Sequence, residues 1–146
     1  RVLAPDHSHI IITLTNIAHI YKHRADYACA LRTYRKVRKL KLKTYGANSI
    51  EVAVTHSSIG LMQYHLKSFE AAFGSYQEAL SVRRAVYGID DHPDLASTLN
   101  SIGLVISKQD MFNMSNHCFF KSFCLRNTII GPNHRNFTIF WQTIAT

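Results

Sequence analysis

The sequence predicts an all-α protein, a right-handed α-solenoid of antiparallel helix pairs, on three observations. The chain aligns on itself: Ile17-Ala18, Ile59-Gly60, Ile102-Gly103 and Ile144-Ala145 are separated by 42, 43 and 42 residues. Tyr27, Phe69 and Phe112 follow the same steps, as do Tyr34, Tyr76 and Phe119, then Ala30, Ala72 and Ser115, then Gly46, Gly88 and Gly131. A fixed period of this length marks an array of one supersecondary unit. Within each unit the apolar residues recur at helical spacing, and no segment alternates as a strand would. Finally, 146 residues with 47% apolar and 18% charged side chains suit one folded domain rather than a disordered chain.

Taken in order, residues 1–6 align with the tail of a preceding unit, and 7–48 form the first repeat. Its first helix carries Ile10, Leu14, Ile17, Ala18 and Tyr21 on one stripe. Asp26 is placed to cap the second helix, whose stripe is Tyr27, Ala30, Leu31, Tyr34 and Val37. Gly46, free to take positive φ, ends it. Residues 49–91 repeat the plan, with Ser68 as the expected cap and a second stripe of Phe69, Ala72, Phe73, Tyr76, Ala79 and Leu80. The one extra residue falls within Ile89-Asp90-Asp91, after Gly88, where a loop absorbs it. Residues 92–133 form the third repeat, opening through His92-Pro93 and carrying Leu95, Leu99, Ile102, Gly103 and Ile106. Asp110 stands one place early for a cap there, and 134–146 read as the first helix of a truncated fourth repeat. Small residues at 18, 60 and 103, facing Ala30, Ala72 and Ser115, let paired helices approach while the aromatic columns fill the wedge toward the next unit.

Charge is concentrated. Residues 21–43 hold nine basic side chains and one acid, Asp26, so that segment carries 9 − 1 = +8, the whole formal excess of the chain. On its helix Arg32, Arg35, Lys36, Lys39 and Lys43 fall opposite the apolar stripe, a basic convex face over 27–44 open to solvent or to an anionic partner. No run approaches the roughly 20 apolar residues of a membrane span. Three cysteines without close pairing argue for reduced thiols and a cytoplasmic setting. Cys118 and Cys124 are six apart and point different ways, and Phe119, Phe120 and Phe123 read as packing.

These columns resemble the tetratricopeptide repeat: Ile17-Ala18-x-x-Tyr21 with Ala30, Tyr34 and Val37, then Ile59-Gly60 with Ala72, Tyr76 and Ala79, and a final Trp141-x-x-Ile144-Ala145. The long unit and its joint, Gly88-Ile89-Asp90-Asp91-His92-Pro93, look like those of kinesin light chains and nephrocystin-type proteins. HEAT and armadillo units share the length but not the small–aromatic–small columns. The resemblance implies a concave groove lined by the first helices of the units. Its stripe here would be Ile12, Thr15, His19 and Lys22, then Val54, Ser57, Leu61 and Tyr64, then Ser97, Asn100, Leu104 and Ser107, with His23, His65 and Lys108 at the rim. Such a surface suits peptide backbone and acidic side chains. Chaperone-tail clamps of the family need Lys and Arg where this chain has Thr15, Ser57, Ser97 and Ser101. Of the paired Asn in kinesin light chain grooves, Asn16 matches one and Asn100 the other, with Ser57-Ser58 in the second unit.

No nucleophile elbow, phosphate loop, carboxylate pair or Cys/His dyad is present, so no enzyme and no cofactor are expected. His19 and His23, four apart on one face, lack a hydrolase Glu or a nearby Cys, so no metal site is expected either. His56 falls in the column of Leu14, Leu99 and Trp141 and reads as an inward, hydrogen-bonded histidine. The expected function is a non-catalytic scaffold or adaptor for a protein or peptide partner, with nucleic acid or an anionic surface on the basic helix as the second reading. The ends read as those of a fragment of a longer array.

Overall fold

The computed structural model describes residues 7–88, 92–108 and 121–122 of the chain. Five helices follow one another: α1 (His7–His23), α2 (Tyr27–Tyr45), α3 (Ile50–His65), α4 (Phe69–Tyr87) and α5 (Pro93–Lys108). There is no strand among the described residues. The helices pack chiefly on their neighbours in sequence, α1 on α2, α2 on α3, α3 on α4 and α4 on α5, which is the contact pattern of an all-α solenoid. Expectations for Asp110, Phe112, Ser115, Cys118, Phe119, Phe120, Phe123, Cys124, Gly131 and Trp141, and for the extra residue in 89–91, lie outside the described residues.

Two apolar clusters correspond to successive joints of the array. Ala18, Ala30, Leu31, Tyr34, Ile59 and Met62 bury one another across α1, α2 and α3. Ala72, Tyr76 and Leu80 do the same with Leu95, Leu99, Ile102 and Val105 across α4 and α5. Ser122, in the column of Val37 and Ala79, is buried with its hydroxyl donating to the Ala96 carbonyl at 2.7 Å. α1 departs from the pattern. Ile20 is 56% exposed, whereas its counterparts Met62 and Val105 are 0% exposed, and Ile17 is likewise more open than Ile59 and Ile102. Met62 lies under α2 and Val105 under α4, and among the described residues α1 has no second-type helix on that side.

Gly60 shows what the small column accommodates. A Cβ built there would lie 3.1 Å from three atoms of the Tyr76 ring, so the position makes room for an aromatic ring rather than for a bare backbone approach. Ser101 on α5 acts on the Tyr76 phenol, and Ser58 on α3 acts in the same way on Tyr34, each drawing it down. Burial raises both phenols, that of Tyr76 to about 12.

The helix ends separate by cap chemistry. Asp26 Oδ1 accepts from the Cys29 N–H at 3.1 Å, as expected, but Ser68 makes no side-chain cap bond. Both have nearly the same backbone, φ −84°, ψ 71° and φ −86°, ψ 66°. Outside the extended region favoured by caps the carboxylate, one bond longer, reaches the helix and the hydroxyl does not. Ser49, extended at φ −123°, ψ 147°, does cap α3. Gly46 and Gly88 both take positive φ.

The two described turns within a unit are each closed by a residue other than glycine in the left-handed region, Ala25 at φ 57° and Lys67 at φ 60°. The Asp26 N–H reaches the Tyr21 carbonyl and the Ala25 N–H that of Lys22. Ser68 to Gln63 and Lys67 to Tyr64 repeat this pair. These are Schellman closures, in which a Cβ at the left-handed position is costly. Ala25→Gly and Lys67→Gly should each raise stability by about 0.5–1 kcal/mol, after subtracting glycine's larger unfolded-state entropy. Urea unfolding checks this, and an unchanged or lower midpoint would show that the turns carry no strain.

Candidate functional site: the face built by α1, α3 and α5

The groove residues expected from the sequence lie on α1, α3 and α5, and none of them is fully buried. Of these residues Ile12 on α1, Val54 on α3 and Leu104 on α5 are exposed large apolar side chains, and α1 exposes Ile17 and Ile20 as well. Asn16, His19, His23, Ser97, Ser107 and Lys108 are exposed with them, and Lys22, Leu61 and Asn100 are half-buried. Two hydroxyls are already committed. Thr15 Oγ1 donates back to the Ile11 carbonyl at 2.7 Å, and Ser57 Oγ accepts from Arg83 at 3.1 Å.

At one end of the face the side chains form an aromatic row. The His65 ring stacks on Tyr27 at 4.3 Å and 7°, and Tyr64 meets His65 and Phe69 edge to face at 5.7 and 5.6 Å. His65 is thus attached to the first turn of α2. His19 lies 6.0 Å from the Tyr34 ring. Burial, and then the cations Lys22, His23 and Lys41, hold its pKa below the usual histidine value. His56 is half-buried, and burial followed by Arg38 lowers its pKa against the pull of Glu78.

The residue that sequence reasoning missed is Arg83. It is 8% exposed on α4, and its Nη1 donates to Ser57 on α3 and to Thr98 on α5, so one guanidinium ties three helices. Its Nε is buried without a partner. Burial lowers its pKa, while Asp94 and Tyr87 pull the other way. Asp94 also accepts from the Tyr87 hydroxyl at 2.6 Å, and Tyr87 stacks on His92 at 3.7 Å, clasping the joint before α5. One unit earlier, Lys41 donates to the Glu51 carbonyl at 3.2 Å and feels the Glu51 carboxylate. A signal existed in the sequence: Lys41, Arg83 and Arg126 stand 42 and 43 residues apart, as Glu51 and Asp94 stand 43 apart. Lys41 and Arg83 each belong to the seam between one unit and the next.

Arg32, Arg35, Lys36, Lys39 and Lys43 are all exposed on α2, opposite the buried Ala30, Tyr34 and Val37. Among the described residues no group of three His, Cys, Asp or Glu side chains could hold a metal ion, and no helix is long and apolar enough to cross a membrane.

Solved structures share this architecture. BtubC (BKLC) from P. vanneervenii aligns with a TM-score of 0.76 and 22% identity, over 86% of this chain and 51% of that one. A Podosopora anserina protein described as a kinesin light chain with nearly identical TPR-like repeats aligns at 0.75 and 9% identity, over 91% and 62%. The N-terminal domain of stress-induced protein-1 (STI-1) from C. elegans aligns at 0.66 and 16%, over 84% and 88%. The chain therefore spans about half the length of BtubC, and at these identities the likeness is one of fold. No curated protein sequence matches it. The tetratricopeptide repeat family matches residues 9–85, more than half of the chain. Its helix pairs, its repeated seams and that match together place the chain in the tetratricopeptide repeat family.

Proposed function

We propose that this chain is a non-catalytic scaffold that binds a peptide or protein segment bearing acidic residues on the face built by α1, α3 and α5. The observation that carries the reading is that Ile12, Val54 and Leu104, on α1, α3 and α5, are exposed among exposed His19, His23 and Lys108. Apolar anchors beside cations and amides fit a segment that buries a few side chains and presents carboxylates between them. The 42- and 43-residue steps support the long repeat type found in kinesin light chain-like arrays, with units at 7–48, 49–91 and 92–133.

The test is affinity capture from nuclease-treated lysate with the intact chain and with Val54→Glu/Leu104→Glu/His19→Ala. Ser57 and Thr15 are left alone because their hydroxyls serve the fold. Partners should be lost with the variant while its circular dichroism stays unchanged. Retention of every partner would sink the groove reading. A captured acidic peptide should bind more tightly as pH falls from 7.5 to 5.5, because protonating His19 and its neighbours adds positive charge. With the His19 pKa lowered, its share of that gain comes in the acid part of the range. A flat profile would remove the histidines from the contact.

A further inference from the structure

Comparison of α2 with α4 isolates a charge that the fold does not need. The two helices have the same length and occupy the same place in successive units. In register, Arg35, Lys36, Lys39 and Lys43 of α2 correspond to Gln77, Glu78, Ser81 and Ala85 of α4, all exposed. The same packing is thus built without a single cation at these positions. On α2 the row is an electrostatic burden as well, since Lys36/Lys39, Arg35/Lys39 and Lys39/Lys43 are like charges three or four residues apart. The remaining cations of the helix have other groups beside them. Lys41 is tied to Glu51, Arg38 lies near His56, and Arg32 donates to the Cys29 sulfur at 3.0 Å in the field of Asp26. Among the described residues none of the four makes an ion pair.

We infer that this strip on α2 binds the phosphate backbone of a nucleic acid, without reading its sequence. With Arg32 the row runs over the 12 residues of 32–43, about 16 Å of helix from the first to the last. It presents no aromatic ring and no amide, so it has nothing to stack on a base or to read a base edge. A peptide would meet only exposed charged side chains in this row, whereas a run of cations gains by releasing the counterions of a polyphosphate. A membrane fits less well. The corresponding helix α4 exposes Glu70 and Glu78, and a broad planar anionic surface would meet those acids where a narrow strand avoids them. The surface is separate from the α1–α3–α5 face, so the two readings stand or fall independently.

The test measures binding of the whole chain to a fluorescent 20-nucleotide single strand and to a 20-base-pair duplex between 50 and 200 mM salt. Four phosphate contacts predict a slope of log K on log salt of about −2.8 for the single strand, or about a fifty-fold loss over that range, and about −3.6 for the duplex. The variant Arg35→Gln/Lys36→Glu/Lys39→Ser/Lys43→Ala, which gives α2 the residues of α4, should keep its helicity and lose both the affinity and the slope. Val54→Glu/Leu104→Glu should change neither. An unaltered variant, or a flat salt profile of the parent chain, overturns the proposal. Binding to phosphatidylserine vesicles but not to oligonucleotide overturns it in favour of a membrane, and equal affinity for poly-glutamate overturns it in favour of an acidic protein segment.

Discussion

Replacing Arg83 with alanine is expected to cost about 3 kcal/mol, among the larger effects of any substitution in this chain. The side chain is 8% exposed, fills space between α3, α4 and α5, and donates to both Ser57 and Thr98. Truncation leaves a cavity and removes a cation that attracts Asp94. Arg83→Met separates these contributions, because it keeps most of the volume while removing a buried charge and the unpartnered Nε. Replacing a buried ion with an apolar side chain of similar size is often neutral, so Arg83→Met should cost less than about 1 kcal/mol. Urea denaturation of the two variants decides it. If methionine costs as much as alanine, the hydrogen bonds to Ser57 and Thr98 hold the seam, and packing does not.

Gly60→Val should cost about 2–3 kcal/mol, with Gly60→Ala near zero. An added Cβ meets the Tyr76 ring at 3.1 Å, and that ring is buried in the cluster that joins α4 to α5. Alanine asks the ring to give by a few tenths of an ångström. Against this it removes the helix penalty of glycine, worth about 1 kcal/mol. Ala18, in the same column of the first unit, is fully buried, so the architecture accepts that size. Valine places two more carbons where the ring already lies. A thermal midpoint within experimental error of the parent for Gly60→Val would mean that Tyr76 can leave its place without consequence, and that the ring does not join the units.

The fold was legible because each unit states it again. Ala30 and Ala72 are 0% exposed and Tyr34 and Tyr76 are buried, as their columns require. A period of 42 residues averages over local ambiguity in a way that single propensities cannot. Less was legible where the same column has different surroundings. Ile17 reads as core by its register with Ile59, yet it is exposed, as is Ile20 beside it, because burial there depends on a neighbouring helix and not on the residue itself. Ser68 reads as a cap by type, but its backbone angle keeps a short hydroxyl from reaching. Ala25 and Lys67 carry no mark of a left-handed turn, since the closure is imposed by the helices on either side.

By itself the sequence determined the helical class, the positions of the hairpins, the apolar stripes and the surplus of charge on one helix, all of them properties of spacing along a chain. Tertiary structure alone decided which polar groups leave the surface. Arg83 and Lys41 look like ordinary solvated cations in a linear reading, and the stacking of one unit on the next turns them into ties across a seam. The same stacking engages Ser57 and so removes it from the face on which it stands, while Val54 and Leu104 stay open. The physical reason is common to each case. Helical periodicity assigns a side chain to a face, but the solvation of that face is set by the element that packs against it.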